Sequence, residues 1–289
     1  MATFADWVEG ARIRTLPAAA APVLVGTGAA FALDAGSVPR ALLAAGVALA
    51  LQIGVNYAND YSDGVRGTDD HRTGPPRLTG SGAAAPRTVK LAAFGFFGVA
   101  AVLGLVLCAL AGTWWLVAVG AVSVLAAWGY TGGSRPYGYR GLGEVGVFVF
   151  FGLVATLGTT YTQALQVSWA AVAGAVGIGL IACALLMVNN VRDIPTDTVS
   201  GKRTLAVRLG DRRARLTYVA MLVLPLVLVL PLAPAHPWAL LTLLLVPVVV
   251  RLALIVLAGA VGRDLITVLR DTGLLELGYG VLLGLGLLL

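Results

Sequence analysis

Charge is what this sequence has least of. Only 12% of its 289 residues are Asp, Glu, Lys or Arg, about half the roughly 25% of an ordinary soluble domain. With 58% hydrophobic residues and a mean hydropathy of +0.90, the chain cannot clothe a water-facing surface. A soluble enzyme, a disordered tail and a disulfide scaffold are therefore excluded. Cysteine is nearly absent: Cys108 and Cys183 both lie inside apolar runs, which suggests neither a disulfide framework nor a thiolate metal site. The apolar segments lack period-two alternation, which argues against a β-barrel. Residues 1–14 carry Asp6, Glu9, Arg12 and Arg14 and no small-residue cleavage site, so no cleavable signal peptide is expected.

What is present is a series of long apolar runs, the mark of an all-α, polytopic membrane helical bundle. Nine spans are predicted, at about 15–33, 40–59, 88–111, 114–131, 143–162, 169–190, 216–233, 237–259 and 272–289, each near the ~20 residues that cross a bilayer. The whole chain, 1–289, reads as one domain. The net charge of +6 does not imply a nucleic-acid partner, because the basic residues sit between spans, where they set topology. Nearly all of them fall on the side of the N-terminus. The opposite side offers only Arg40, and Arg251 falls within a span, where a snorkelling side chain is expected. By the positive-inside rule the N-terminus and long loops face the cytoplasm of a cell membrane, and nine spans put the C-terminus outside. The loops after spans 2 and 6, each roughly 25 residues, exceed the usual connection length and are the expected functional surface. The glycines, 37 in all, read mainly as close helix contacts.

Two acidic clusters close those spans. Gln52, Asn56, Asp60 and Asp63 follow at intervals of four, four and three, so they share a helical face. Asn189, Asp193 and Asp197 stand four apart, with Pro195 disfavouring helix before it and placing Asp197 on the first turn of loop. The Asn-x-x-x-Asp pattern recurs with an offset of 133 residues (193 minus 60, 189 minus 56), the look of an internal duplication. Carboxylates gathered at a membrane boundary need partners. Mg²⁺, an oxygen-binding ion that bridges one or two carboxylates to substrate phosphates, supplies them. Arg72, Arg135, Lys202 and Arg203 are then candidates for the phosphate oxygens the metal does not reach. A single such cluster is more often a solvated helix end; two in matching register favour a shared metal–diphosphate site.

On these motifs the chain resembles the UbiA superfamily of intramembrane prenyltransferases. The carrying segments are Arg14-Thr-Leu-Pro17, the Asn56–Asp63 stretch, Tyr130-Thr-Gly-Gly-Ser-Arg135-Pro-Tyr-Gly-Tyr-Arg140-Gly-Leu-Gly-Glu144, the Asn189–Asp197 stretch and Gly201-Lys-Arg-Thr-Leu-Ala-Val-Arg-Leu-Gly210. The 130–144 and 201–210 segments point to its MenA branch, whose members prenylate 1,4-dihydroxy-2-naphthoate in menaquinone biosynthesis. The resemblance implies a polyprenyl diphosphate held on Mg²⁺ by Asp60, Asp63, Asp193 and Asp197, and an aromatic acceptor that loses carbon dioxide. It implies that Asn56, Asn59 and Asn189 orient these groups, and that Arg14, Arg72, Arg135, Arg140, Lys202 and Arg203 contact diphosphate or acceptor carboxylate. Tyr137 and Tyr139 would shield the allylic cation or stack on the ring; loop tyrosines beside a span are as often interfacial anchors. Asp69 and Asp70 follow at a spacing that some superfamily members do not share, and no role is assigned to them. Two alternatives stand: another aromatic acceptor such as 4-hydroxybenzoate or homogentisate, and a cation-coupled transporter with duplicated halves.

Overall fold

The computed structural model describes residues 2–67 and 77–289; Arg72, Asp69 and Asp70 lie outside the described residues. A short α1 (Phe4–Gly10), opened by a Thr3–Asp6 capping box, leads into α2 (Pro17–Phe31). Then come α3 (Val38–Val65), α4 (Pro86–Ala111), α5 (Leu116–Thr131), α6 (Gly143–Ala164) and α7 (Trp169–Val199). The short α8 (Leu205–Leu209) precedes α9 (Asp211–Leu232), α10 (Pro237–Leu257) and α11 (Arg263–Leu288). Seven of these are long and apolar enough to cross a membrane, and α2 and α5 are shorter apolar helices. Those nine match the nine predicted runs, and the bundle is all-α among the described residues.

Two expectations change. The last helix starts at Arg263 rather than near 272, so it takes in Arg263, Asp264, Arg270 and Asp271. Asp271 pairs with Arg251 at 2.6 Å and with Arg270 at 2.8 Å, so Arg251 is an ion-paired residue rather than a lone snorkelling charge. Helix α7 also runs through Pro195 to Val199. The proline withholds one N–H from the Val191 carbonyl, yet the helix continues past it, with the hydroxyls of Thr196 and Thr198 donating to the carbonyls of Asp193 and Ile194 at 3.0 and 2.7 Å. Asp197 therefore sits on the helix one turn beyond Asp193.

The main core lies between α2, α7, α9, α10 and α11, around Val25, Ile178, Tyr218, Leu252 and Leu283. Close approach depends on missing side chains. A Cβ on Gly28 would collide with the backbone of Gly284, and one on Gly152 with that of Gly179, so α2 meets α11 and α6 meets α7 at backbone distance, as membrane helices do. Leu91, Val102, Leu105 and Leu125, on α4 and α5, remain exposed, as lipid-facing positions require. At the end opposite the acidic motifs, the Arg40 guanidinium donates to the carbonyls of Leu110, Thr162 and Gln163 at 2.7–3.2 Å. One cation therefore caps the C-termini of α4 and α6, where helix dipoles favour positive charge.

Candidate functional site

A cavity of about 1090 Å³ opens between α2, α3, α5, α6 and α7. Its polar mouth is built from the last turns of α3 and α7, which present Asn56, Asn59 and Asp63 on one side and Asn189, Asp193 and Asp197 on the other. Asp63 and Asp197 are each under 10% exposed. Asp197 stands within electrostatic reach of Asp63, Asp193 and Lys202, so the two helix tips converge.

Tyr139 ties them together. Its hydroxyl donates to Asp63 Oδ1, its carbonyl accepts the Arg203 N–H at 2.9 Å, and Lys202 Nζ lies 4.6 Å from its ring centroid. The Lys202 N–H in turn reaches the Asp197 carbonyl at 2.9 Å. Arg66, donating to the carbonyls of Thr131 and Gly133, places its guanidinium 5.5 Å from the same ring. Two cations attend the Tyr139 ring, so its hydroxyl, bound to Asp63, is the part that acts on the motif. Tyr137 also lines the cavity. Burial pushes its hydroxyl up to about 12.

Asp60 is placed differently from its neighbours. It is wholly buried and does not line the cavity. Its two carboxylate oxygens accept the backbone N–H groups of Leu78 and Thr79 at 2.9 and 2.8 Å. That clamp returns the chain to α3 and sets Arg77 3.8 Å from Asp63. Asp193 lines the cavity and is held by Arg192 at 2.6 Å, while Arg192 also donates to Asn189 at 2.9 Å. The two acids at matching positions thus differ: Asp60 clamps the backbone of Leu78 and Thr79, whereas Asp193 lines the cavity.

Arg14, Asn56, Asn59, Asn189 and Lys202 reach the cavity wall, whereas Arg135, Arg140 and Arg203 do not. The Arg140 carbonyl instead accepts from Arg208 at 2.9 Å. Several wall residues have no local signal in the sequence. Asn56 and Gln52 both donate at 3.0 Å to Thr15 Oγ1, whose own proton goes to the Arg12 carbonyl at 2.9 Å. This fixes the entry of the chain into α2 against α3. Asn190 donates to the buried Glu144 at 3.1 Å, locking α6 to α7 behind the site. Only a long-range fold makes either arrangement.

The donor set at the mouth is oxygen-only. Among the described residues no three His, Cys, Asp or Glu side chains cluster as a ready-made metal cage. Such a mouth fits an ion that shares its coordination between one or two carboxylates and a phosphate-bearing ligand, as Mg²⁺ does. The surrounding Arg77, Arg192 and Lys202 suit the anionic remainder of that ligand.

The model of the UbiA prenyltransferase family matches residues 19–265. A curated relative from Mycobacterium tuberculosis, 1,4-dihydroxy-2-naphthoate octaprenyltransferase, is 57% identical over 281 residues, covering 97% of this chain and 96% of its own. The Escherichia coli protein of the same name is 40% identical over 222 residues, 75% of this chain and 72% of its own. Among solved structures, an apo UbiA homolog from Aeropyrum pernix K1 superposes with a TM-score of 0.71 at 16% identity, covering 95% of this chain and 97% of that one. A UbiA homolog from Archaeoglobus fulgidus bound to GPP and Mg²⁺ gives 0.65 at 14% identity over 96% and 99%.

Proposed function

The chain belongs to the UbiA prenyltransferase family, and from that premise we propose that it transfers a polyprenyl group from polyprenyl diphosphate to 1,4-dihydroxy-2-naphthoate. The new carbon–carbon bond replaces the carboxyl group: carbon dioxide and diphosphate leave, and the product is the hydroquinone form of a demethylmenaquinone. The observation that carries this reading is that Asp63, from the end of α3, and Asp193 and Asp197, from the end of α7, line the polar mouth of one large cavity. The acceptor assignment draws on the 57% identical relative.

Asp63, Asp193 and Asp197 are the carboxylates from which Mg²⁺ would take one or two ligands, with the Asn59 and Asn189 amides beside them; Asp60 serves the loop instead. When bound, the ion supplies positive charge where the leaving diphosphate gains negative charge. Lys202, Arg77 and Arg192 bind the remaining phosphate oxygens and steady them as the allylic carbon–oxygen bond breaks. Tyr139 holds Asp63 in place through its hydroxyl. Arg14, an exposed cation on the cavity wall, takes the acceptor carboxylate and turns the electron-rich ring toward the allylic carbon. The apolar depth of the cavity takes the prenyl chain and keeps water from the cation.

The mouth faces the cytoplasm, because the basic loops border it. The transporter alternative finds no support, since the acids occupy terminal helix turns rather than mid-depth positions. The deciding assay gives the purified protein one prenyl diphosphate with each of three acceptors: 1,4-dihydroxy-2-naphthoate, 4-hydroxybenzoate and homogentisate. It is run with Mg²⁺ and with EDTA. Product only from the naphthoate, abolished by EDTA, is expected; preference for another acceptor refutes the assignment.

A further inference from the structure

The first turns of α11 also border the cavity, through Ile266, Thr267, Leu269 and Arg270. Helix α11 runs antiparallel to α7. A Cβ on Gly177 would strike Tyr279, and one on Gly273 would rest 3.8 Å from Leu185 Cδ1 and 3.8 Å from the Arg14 carbonyl. Gly273 therefore marks the level of both Leu185 and Arg14. Arg270 lies three residues nearer the start of α11, and Asn189 four residues beyond Leu185 on α7, so the two come level at ~1.5 Å per helical residue. Arg270 thus enters the cavity between Arg14 and the second acidic motif.

Arg270 is held from behind. Its Nε and Nη2 donate to Asp271 Oδ1 at 2.9 and 2.8 Å, and Asp271 Oδ2 accepts from Arg251 Nη2 at 2.6 Å. Asp271 is buried and does not line the cavity, whereas the Arg270 side chain is 61% exposed. Two guanidiniums share one carboxylate, so the trio keeps one uncancelled positive charge. Asp271 takes one edge of the Arg270 guanidinium, which leaves the Nη1 donors for a ligand.

We propose that Arg270, aimed by Asp271 and backed by Arg251, joins Arg14 in a two-arginine clamp on the carboxylate of the aromatic acceptor. This rests on the prenyl-transfer reading and deepens it, by naming the residue that tells an aromatic acid from the same ring without its acid. A planar guanidinium matches a carboxylate edge to edge, and two of them fix the plane of the ring as well as its position. The diphosphate already has Arg77, Arg192 and Lys202 beside the acids; Arg14 and Arg270 meet instead where the entry to α2 packs on α11. Asp271 acts only through Arg270 and is a positioning residue. The product carries no carboxylate, so the clamp has no hold on it.

The test uses the full chain in lipid nanodiscs with Mg²⁺, without oxygen, and compares 1,4-dihydroxy-2-naphthoate with naphthalene-1,4-diol, which lacks only the carboxylate. Equilibrium affinities for both are read beside separate KM values for acceptor and donor. The unmodified protein is expected to bind the acid about tenfold or more tighter than the diol, the scale of hydrogen bonds to a charged group. Arg270→Gln is expected to remove most of that preference by weakening the acid alone, raising the acceptor KM and leaving the donor KM within about twofold. Arg270→Lys, which keeps the charge, recovers part of it. Asp271→Asn is expected to lower the preference by a smaller factor with diol affinity unchanged, a pattern that general loosening of the fold does not give. No preference in the unmodified protein, or one kept within about twofold in Arg270→Gln, overturns the clamp. A rise in the donor KM in place of the acceptor KM also overturns it and assigns Arg270 to the diphosphate. Should the unmodified protein prefer the acid but prenylate neither ring, the transfer reading fails while the affinity ratio still judges the clamp.

Discussion

Asp60 accepts the backbone N–H of Thr79 at 2.8 Å, from a residue nineteen positions further along the chain. Together with the bond from Leu78, this makes Asp60 a buried anchor. Asp60→Ala leaves two donors without a partner, each costing about 1–3 kcal/mol. The expected outcome is a lower midpoint of thermal unfolding alongside lost turnover. Asp60→Asn, which keeps one acceptor, recovers part of both. An Asp60→Ala protein as heat-stable as the unmodified one would remove the anchoring role.

Asp63 and Asp197 should behave in the opposite way. Asp63→Asn and Asp197→Asn retain the shape of the mouth and remove its charge. Turnover is expected to fall on the order of a hundredfold or more, the scale of losing one electrostatic stabiliser of a transition state, while helical content and unfolding midpoint hold. Steady-state kinetics across a Mg²⁺ titration beside circular dichroism decide it; a variant with near-normal turnover contradicts the assignment.

Much of this was legible in the amino-acid order, and the reasons it stopped are physical. Span positions follow from apolar run length, a local property: each of the nine predicted runs falls on a helix, seven of them long enough to cross a membrane, and the last begins early, at Arg263. The acids at 63, 193 and 197 were visible because helical spacing puts them on recurring faces. Asp60 shares that spacing, but its direction is decided by Leu78 and Thr79, whose return to α3 no local pattern encodes. Arg77 beside Asp63, Thr15 beneath Gln52 and Asn56, and Glu144 behind Asn190 escaped for the same reason. Pro195 misled because a proline inside a helix costs one N–H and a kink, and here the helix continues past it to Val199.

Tyr139→Phe separates the two contacts of that ring. The Asp63 bond goes and the approach of Lys202 to the aromatic face stays. A loss of about tenfold in kcat/KM is expected, equivalent to ~1.4 kcal/mol and in the range of a hydrogen bond to a charged group, with more Mg²⁺ needed for half-maximal rate. Tyr139→Leu, which also removes the ring, should lose further. Equal rates in the two variants would mean that the ring contributes nothing.

Glu276 is fully buried in α11, and neither of its carboxylate oxygens has a hydrogen-bond partner among the described residues. It lines no part of the cavity. Replacing a buried polar group that lacks partners by an apolar one of similar volume is neutral or stabilising. Glu276→Met is therefore expected to unfold at the same or a higher temperature with turnover unchanged. A collapse of either reading would show that Glu276 serves a purpose its surroundings do not reveal.

The grip of Arg40 on three carbonyls at the far end makes the bundle resemble a pair of tweezers, riveted at one tip. Parting α4 from α3 there gives up the bond to Leu110, and parting α6 gives up those to Thr162 and Gln163. The far end is thus pinned by a single guanidinium, while the carboxylates gather at the other.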